Sequence, residues 1–178
     1  LVDCTHSVLQ DCDSSREQFA YGLNHWLSRL GREYGMHAFA RSGLAVGDVN
    51  GDGLDDIYVC QPGGLPNRLL VQQADGSVRD RSSEAGVDWL DQTSSALMID
   101  LDNDGAIDLV VDGHYIRNEN SDGWPFQAAK AIQLDAGRKP DFLDLDGDSR
   151  LDAVCLHGGE TVQPDFYEVL WRRNLGGT

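Results

Sequence analysis

Three short acidic stretches constrain this chain more than any other feature of its sequence. Each reads D-x-[DN]-x-D-x-x-x-D, with oxygen-bearing side chains at positions 1, 3, 5 and 9. We name them loop 1 (Asp48–Asp56), loop 2 (Asp100–Asp108) and loop 3 (Asp144–Asp152). Alternate side chains of such a loop can point to one centre, and a sharp turn returns position 9 to it. Three stretches in the same register indicate an internal repeat.

The donors in these loops favour calcium. Calcium is a hard cation that takes six to eight oxygen ligands. The side chains at positions 1, 3, 5 and 9, with the backbone carbonyl of position 7, can supply most of them. We therefore expect up to three Ca²⁺ ions. The predicted ligands are Asp48, Asn50, Asp52, Leu54 and Asp56 in loop 1; Asp100, Asp102, Asp104, Ala106 and Asp108 in loop 2; and Asp144, Asp146, Asp148, Arg150 and Asp152 in loop 3.

Position 6 distinguishes the third loop from the other two. It is Gly53 in loop 1 and Gly105 in loop 2, but Ser149 in loop 3. A residue other than glycine in left-handed geometry costs about 1–2 kcal/mol. The sequence therefore predicts that loop 3 is the weakest of the three cation sites.

The residues around the loops predict strands rather than helices. An EF-hand requires a glutamate at position 12 and a helix on each side, whereas position 12 here is Val59, Val111 or Cys155. Short apolar, β-rich runs flank each loop instead. The predicted strands are Leu44–Val46, Ile57–Cys60, Arg68–Gln73, Ser77–Arg81, Ala96–Ile99, Ile107–Val111, Tyr115–Asn118, Asp141–Leu143, Leu151–Leu156 and Phe166–Arg172.

This pattern predicts an all-β fold of β-propeller blades. A repeat of about 45–50 residues with several short strands is typical of a blade. We expect three repeats over residues 41–178, at approximately 41–90, 91–137 and 138–178. Because closed propellers typically have at least four blades, the three repeats are expected to be a segment of a larger propeller. Further blades would come from the same or another chain.

Residues 1–40 differ in period from the repeats and are predicted to form an N-terminal helical segment. Apolar residues recur there at helical spacing, and Ser14 with Glu17 matches a capping box. The predicted helix is Ser15–Leu30. Cys4 and Cys12 are close enough in sequence for a local disulfide, which the spacing alone leaves open. Cys60 and Cys155 end apolar runs and are expected to be buried free thiols.

Charge and hydropathy exclude two classes of partner. The net charge of −16 would repel nucleic acid, so no nucleic-acid partner is expected. No apolar run approaches the roughly 18–20 residues of a membrane span, so we expect no membrane insertion.

The sequence lacks the common catalytic motifs: it has no G-x-S-x-G elbow, no phosphate-binding glycine loop and no H-E-x-x-H. We therefore predict no catalytic residues, no organic cofactor and no enzyme activity.

The loops and their flanks resemble a known repeat family. Three stretches are similar to the FG-GAP/VCBS repeats of integrin α-subunit propellers, namely GLAVGDVNGDGLDDIYV, NRLLVQQADGSVRDRSSEAGV and MIDLDNDGAIDLVV. They look closer still to the cartilage acidic protein family. The resemblance covers about residues 42–177. It implies a β-propeller that holds calcium between the first two strands of a blade, with the loop aspartates and Asn50 as ligands.

These observations predict a calcium-binding module for adhesion or ligand binding, located outside the cell or at its surface. Calcium would be mainly structural, and a protein or glycan ligand would bind on a rim or face. Two alternatives stay open at the level of sequence. In the first, the chain is an architectural segment of a larger surface protein. In the second, it is a non-catalytic part of a carbohydrate-active enzyme.

Overall fold

The computed structural model describes residues 2–21, 25, 43–119, 126, 131–134, 140–158 and 167–174. Within them lie two short helices and eleven strands. The helices are α1 (Thr5–Val8) and α2 (Asp13–Ala20). The strands are β1 (Leu44–Gly47), β2 (Asp56–Val59), β3 (Arg68–Gln72), β4 (Val78–Asp80), β5 (Ala96–Ile99), β6 (Asp108–Val111), β7 (His114–Ile116), β8 (Ile132–Gln133), β9 (Asp141–Leu143), β10 (Asp152–Gly158) and β11 (Tyr167–Arg172).

The strands form three separate antiparallel sheets. Sheet 1 has the order β1-β2-β3-β4, sheet 2 the order β5-β6-β7-β8, and sheet 3 the order β11-β10-β9. Each strand pairs with its neighbour in sequence, which is the meander of a propeller blade. The predicted all-β fold class is confirmed. The sheets do not close into a ring within the described residues.

Each acidic loop joins the first two strands of its sheet. Loop 1 links β1 to β2, loop 2 links β5 to β6, and loop 3 links β9 to β10. The predicted strands agree with the observed ones to within two residues at each end, and Ala96–Ile99 and Asp141–Leu143 agree fully. The exception is β8, a two-residue edge strand that the sequence pattern did not indicate. A strand of two residues is too short to show a period.

Sheets 1 and 2 share one hydrophobic core. Tyr58 and Leu69 of sheet 1 and Leu109 of sheet 2 are fully buried in it. The two sheets approach most closely along β1 and β5. A side chain at Gly47 would place its Cβ 3.0 Å from Cβ of Met98, so this glycine permits the close approach. Sheets 1 and 2 therefore meet along their first strands, β1 and β5.

The N-terminal helix differs from its prediction. It begins at Asp13, with Cys12 as a cap residue that makes no side-chain cap bond, so the Ser14–Glu17 capping box is wrong. It ends at Ala20 rather than Leu30, since Tyr21 has extended backbone angles. Residues 22–24 and 26–42 lie outside the described residues. The rest of the predicted helix, except His25, falls there.

Tertiary contacts explain why this helix buries polar residues. Its buried residues are Ser15 and Gln18, whereas Phe19 is partly exposed. The Ser15 hydroxyl bonds to the Asp80 carboxylate, and the Gln18 amide oxygen accepts two bonds from Arg68. Polar partners more than 45 residues away thus hold α2 on the outer strands of sheet 1.

The cysteines are all free, and no Cys4–Cys12 disulfide is present. The Cys12 thiol instead donates to the carbonyl oxygen of Val78 at 2.9 Å. Cys60 and Cys155 are buried free thiols, as predicted. Among the described residues, no helix has the length and apolar character needed to span a membrane.

Candidate metal centre

Each acidic loop is wound around its first aspartate. The Asp48 carboxylate accepts the backbone N–H of Gly51 at 2.8 Å, of Asp52 at 3.1 Å and of Gly53 at 2.8 Å. Loop 3 repeats all three bonds from Asp144, and loop 2 repeats the second and third from Asp100. Bonds of this kind bend the backbone around an aspartate, as in an Asx turn. They fix the carboxylate of position 1 at the centre of the loop.

Left-handed backbone at position 6 makes the turn. Gly53 and Gly105 have φ of 83° and 90°, and Ser149 has φ of 67°. The serine therefore adopts the strained geometry expected from the sequence. Position 4 is left-handed as well, with Asn103 at φ of 60°, which the motif did not indicate. The ranking of loop 3 as the weakest cation site stays a prediction.

The aspartates at position 9 tie each loop to its sheet. Asp56, Asp108 and Asp152 are all fully buried. One oxygen of each carboxylate accepts the N–H of loop position 2, at 3.0 Å in loops 1 and 2 and 3.4 Å in loop 3. The other oxygen accepts an N–H from an outer segment of the same sheet, which belongs to Gln72, Asn118 or Asn174 respectively.

The structure brings carboxylates together in loops 2 and 3. Oxygens of Asp100, Asp102 and Asp108 lie within 4.8 Å of one another in loop 2. The same holds for Asp144, Asp146 and Asp148 in loop 3. No third group of acidic, histidine or cysteine side chains meets this closely in the described part of the chain. Carboxylate oxygens in such clusters are the donors that calcium prefers.

Loop 1 has a different arrangement at its centre. Asn50 occupies position 3, where its amide donates to the Asp52 carboxylate at 2.9 Å and its carbonyl oxygen accepts the Asp52 N–H at 3.1 Å. At position 7, the N–H groups of Leu54, Ala106 and Arg150 donate to the position 5 carboxylate of their own loop. The structure thus brings together three of the predicted ligands in loop 2 and three in loop 3, and loop 1 has no group of three carboxylates that meets as closely in the described residues.

Buried aspartates of loops 1 and 2 resist ionisation. Burial raises the pKa of Asp56, and the charges of Asp52 and Asp48 raise it further. Burial also raises the pKa of Asp108, with an added contribution from the charge of Asp102. A cation placed among these carboxylates would relieve both effects, because it favours the ionised form.

Loop 3 has the opposite balance. The backbone N–H of Arg150 lowers the pKa of Asp148, and its guanidinium group adds to this effect. The backbone N–H of Asn174 likewise holds the pKa of Asp152 below its usual range. The protein itself therefore stabilises Asp148 and Asp152 in the ionised form.

Arginine guanidinium groups contact the carboxylates of loops 2 and 3, a role that the loop motif does not indicate. Arg117 pairs with Asp102 and with Asp104, the latter at 3.1 Å. Arg173 pairs with Asp146 and Asp148 in the same way, and Arg150 adds a 2.7 Å contact to Asp148. Arg117 is 47% exposed and Arg173 51% exposed. They are solvent-exposed counter-charges to the two carboxylate clusters.

The asparagines that directly follow Arg117 and Arg173 link neighbouring sheets. The amide of Asn118 in sheet 2 donates to the carbonyl of Val49 in loop 1 at 2.9 Å and to that of Ile107 at 3.0 Å. The amide of Asn174 repeats this contact from sheet 3 to Leu101 in loop 2 at 2.9 Å. Its second acceptor is Leu151 at 3.2 Å. We call each of these contacts an amide clamp. The Arg-Asn pair shared by residues 117–118 and 173–174 is the signal in the sequence that could have identified it.

Comparison with known proteins agrees with this repeated unit. No curated protein matches the chain. The match to a protein family covers loop 1, sheet 1, loop 2 and the strands on both sides of loop 2. Residues 40–111 of the chain match the FG-GAP-like repeat.

Proposed function

We propose that the three loops bind calcium and that the ions serve mainly to stabilise the stack of sheets. The observation that carries this proposal is the convergence of three carboxylates within 4.8 Å in loop 2, and again in loop 3. In both loops the turn is preorganised by N–H bonds to position 1. Calcium would neutralise carboxylates that otherwise repel one another, and it would hold the first two strands of each sheet in register.

The expected stabilisation is large enough to measure. Extracellular calcium modules bind with dissociation constants of about 10⁻⁴–10⁻³ M. At ten times the dissociation constant, each site would contribute about 1.4 kcal/mol to the free energy of unfolding. Three sites would contribute roughly 4 kcal/mol, against about 5–15 kcal/mol for a typical domain. Calcium would thus account for a substantial part of the stability.

Thermal unfolding with and without calcium tests the proposal. The melting temperature should rise with calcium concentration and fall in excess EDTA. Each of the single substitutions Asp52→Asn, Asp104→Asn and Asp148→Asn should remove about one third of the calcium-dependent rise in melting temperature. The matched control is Asp91→Asn, which removes an exposed carboxylate outside the loops and should leave the rise unchanged. A melting temperature that EDTA does not alter would refute calcium binding as a source of stability.

We further propose an extracellular or cell-surface location and a role in adhesion or ligand binding. Weak calcium sites of this kind fill outside cells, where calcium is abundant, rather than in the cytosol. The FG-GAP-like match of residues 40–111 supports the same environment. The ligand would be a protein or glycan. Arrays of glycans and of extracellular proteins, probed with and without calcium, would test this role.

A second candidate is an architectural module without its own ligand, in a larger surface protein or as a non-catalytic part of a carbohydrate-active enzyme. The amide clamps support it, because they join one sheet to the next and involve no loop carboxylate. Catalysis is not proposed, since the paired carboxylates are engaged in turns and ion pairs of the loops. Turnover of a polysaccharide that is lost on substitution of a single Glu would contradict this.

A further inference from the structure

Loops 2 and 3 contact one another directly. The side-chain amide of Asn103, at position 4 of loop 2, donates a hydrogen bond to the carbonyl oxygen of Ser149, at position 6 of loop 3. The donor and acceptor atoms are 2.7 Å apart, although the two residues are 46 positions apart in the chain. We call this hydrogen bond the loop bridge.

Both ends of the loop bridge lie in left-handed backbone. The φ angle is 60° at Asn103 and 67° at Ser149. Residues other than glycine rarely adopt this geometry, although asparagine tolerates it better than most. Because the left-handed turns set the directions of the Asn103 side chain and the Ser149 carbonyl, the loop bridge depends on both turns being formed.

The loop bridge lies between the two groups of converging carboxylates. On the loop 2 side, the peptide N–H that directly follows Asn103 donates to Asp100 and Asp102, at 3.2 Å each. On the loop 3 side, the peptide that accepts the bridge through its carbonyl donates its N–H to Asp148 at 2.9 Å. All three carboxylates belong to the groups whose oxygens lie within 4.8 Å of one another. The bridge therefore connects the peptides that bind the two carboxylate groups.

A second route connects the same two loops across the seam between sheets 2 and 3. The backbone N–H of Asn174 bonds to Asp152 of loop 3, and its side-chain amide bonds to the carbonyl of Leu101 in loop 2. The N–H of Leu101 in turn bonds to Asp108. The buried aspartates at position 9 of loops 2 and 3 are thus linked by consecutive hydrogen bonds through two residues.

Loop 1 has the second route to loop 2 but not the first. The Asn118 clamp crosses the seam between sheets 1 and 2 and ends on Val49 of loop 1. Position 4 of loop 1, however, is Gly51, which has no side chain that could form a bridge. Loops 2 and 3 are therefore joined by a bridge and a clamp, whereas loops 1 and 2 are joined by a clamp without a bridge.

We propose, on the basis that the loops bind calcium, that loops 2 and 3 form a coupled pair in which an ion in either loop raises the calcium affinity of the other. An ion held by Asp148 would fix the peptide that accepts the bridge. An ion held by Asp100 and Asp102 would fix the peptide next to the donor. The first ion thus orders part of the second turn in advance, so the second ion binds at a lower cost in conformational entropy. Because coupling between two sites is reciprocal, both affinities should rise by the same factor, about 2–5-fold for one exposed hydrogen bond.

Asn103→Gly removes the loop bridge and leaves every charge in place. Repulsion between two neighbouring ions would oppose the coupling, but its size is set by charges that this variant does not change. Glycine keeps the left-handed backbone without strain. It is also the residue at position 4 of loops 1 and 3, where Gly51 and Gly147 have φ of 74° and 76°. The variant therefore isolates the contribution of the hydrogen bond.

A calcium titration of the full chain, followed by nuclear magnetic resonance, measures each loop separately. Every loop has a glycine whose N–H donates to the carboxylate at position 1 of that loop, so its amide signal reports the state of that loop. These glycines are Gly53 in loop 1, Gly105 in loop 2 and Gly147 in loop 3.

Disabling one loop at a time, with and without the bridge, gives the coupling. Asp146→Asn removes a carboxylate of the loop 3 group that takes no part in the bridge. It should lower the calcium affinity of loop 2 about 2–5-fold more in the wild-type background than in the Asn103→Gly background. The matched control is Asp52→Asn, which makes the same change of charge in loop 1 and should have the same effect on loop 2 in both backgrounds.

A second measurement needs no calcium. In EDTA, Asn103→Gly should speed hydrogen exchange of the Arg150 N–H, because its peptide loses the bridge. The control is the Leu54 N–H, which makes the same bond to position 5 in loop 1 and should exchange at an unchanged rate. Equal exchange of Arg150 in wild type and variant would overturn the proposal.

The titration distinguishes failure of the coupling from failure of calcium binding. If all three glycine signals shift with calcium, but Asp146→Asn lowers the affinity of loop 2 equally in both backgrounds, the coupling is refuted and calcium binding stands. If calcium shifts none of the three signals, calcium binding is refuted and the coupling with it.

Discussion

The amide clamp of Asn118 gives the sharpest test of how the sheets are held together. Asn118 is 1% exposed, and its amide donates to Val49 in loop 1 and to Ile107 in its own sheet. Asn118→Ala removes both hydrogen bonds and leaves two carbonyl acceptors without this donor between the sheets. The substitution keeps the backbone N–H that bonds to Asp108. It therefore isolates the contribution of the side chain.

The magnitude follows from the number of bonds and their burial. Each hydrogen bond contributes a net of about 0.5–1.5 kcal/mol, and acceptors left unsatisfied in a buried seam add to the loss. For two bonds in a fully buried position we expect the free energy of unfolding to fall by about 2–4 kcal/mol. With a urea m-value of about 2 kcal/mol/M, the midpoint would shift by about 1–2 M.

A matched control is available in sheet 1. The amide of Gln73 also donates to two carbonyls, those of Val71 and Gln72, but these acceptors are its near neighbours in the chain. Gln73→Ala should lower the free energy of unfolding by less than about 1 kcal/mol, since water can replace a partly exposed bond. Urea unfolding followed by circular dichroism, in saturating calcium and again in EDTA, measures both variants.

Asn118→Asp adds a second check on the same reasoning. An aspartate has nearly the shape of asparagine but would direct an acceptor oxygen at the carbonyls of Val49 and Ile107. It should therefore destabilise the protein at least as much as alanine at neutral pH. If Asn118→Ala costs less than about 1 kcal/mol, or no more than Gln73→Ala, the clamp does not hold the sheets together and the reasoning fails.

Three further predictions concern the loops, each measured by calcium titration calorimetry. Arg117→Gln should tighten calcium binding at the loop 2 site about 2–5-fold, because an exposed ion pair that competes with calcium is worth about 0.5–1 kcal/mol. Arg79→Gln makes the same change in charge outside the loops and should leave calcium binding unchanged. Ser149→Gly should tighten the loop 3 site and raise the melting temperature in EDTA by relieving up to about 1 kcal/mol of strain; a looser site would contradict this. As the pH falls from neutral, protons should displace calcium from loops 1 and 2 at a higher pH than from loop 3, because the pKa values of Asp56 and Asp108 are raised whereas those of Asp148 and Asp152 are lowered. Simultaneous loss would contradict that order.

The parts of the structure that the sequence predicted are the local ones. The D-x-[DN]-x-D motif fixes the turn because the N–H groups that bind position 1 lie within five residues of it. The flanking strands follow from short β-rich apolar runs. In both cases the residues that interact are close in the chain, so the pattern alone carries the information.

The N-terminal helix shows why the remainder could not be predicted. Its apolar spacing indicated a helix to Leu30 with the apolar stripe inward. In the structure Ser15 and Gln18 are the buried residues, because Asp80 and Arg68 of sheet 1 offer them partners. Those partners are 65 and 50 residues away. The residue pattern within the helix gives no information about these distant partners, and tertiary contacts override weak helical preferences.

The amide clamp also explains how a loop and a seam become one structural unit. The Val49 N–H bonds to Asp56 at position 9 of loop 1, and the Val49 carbonyl accepts the clamp from Asn118 of sheet 2. Whatever fixes loop 1 therefore also fixes the acceptor that sheet 2 needs. A cation in loop 1 would therefore stabilise the contact between sheets 1 and 2 without binding to sheet 2, because Val49, which accepts the clamp, directly follows Asp48. Loop 2 stands in the same relation to Asn174 through Leu101. Stability gained in one loop is thus passed along the stack, as expected for repeats that contact only their neighbours.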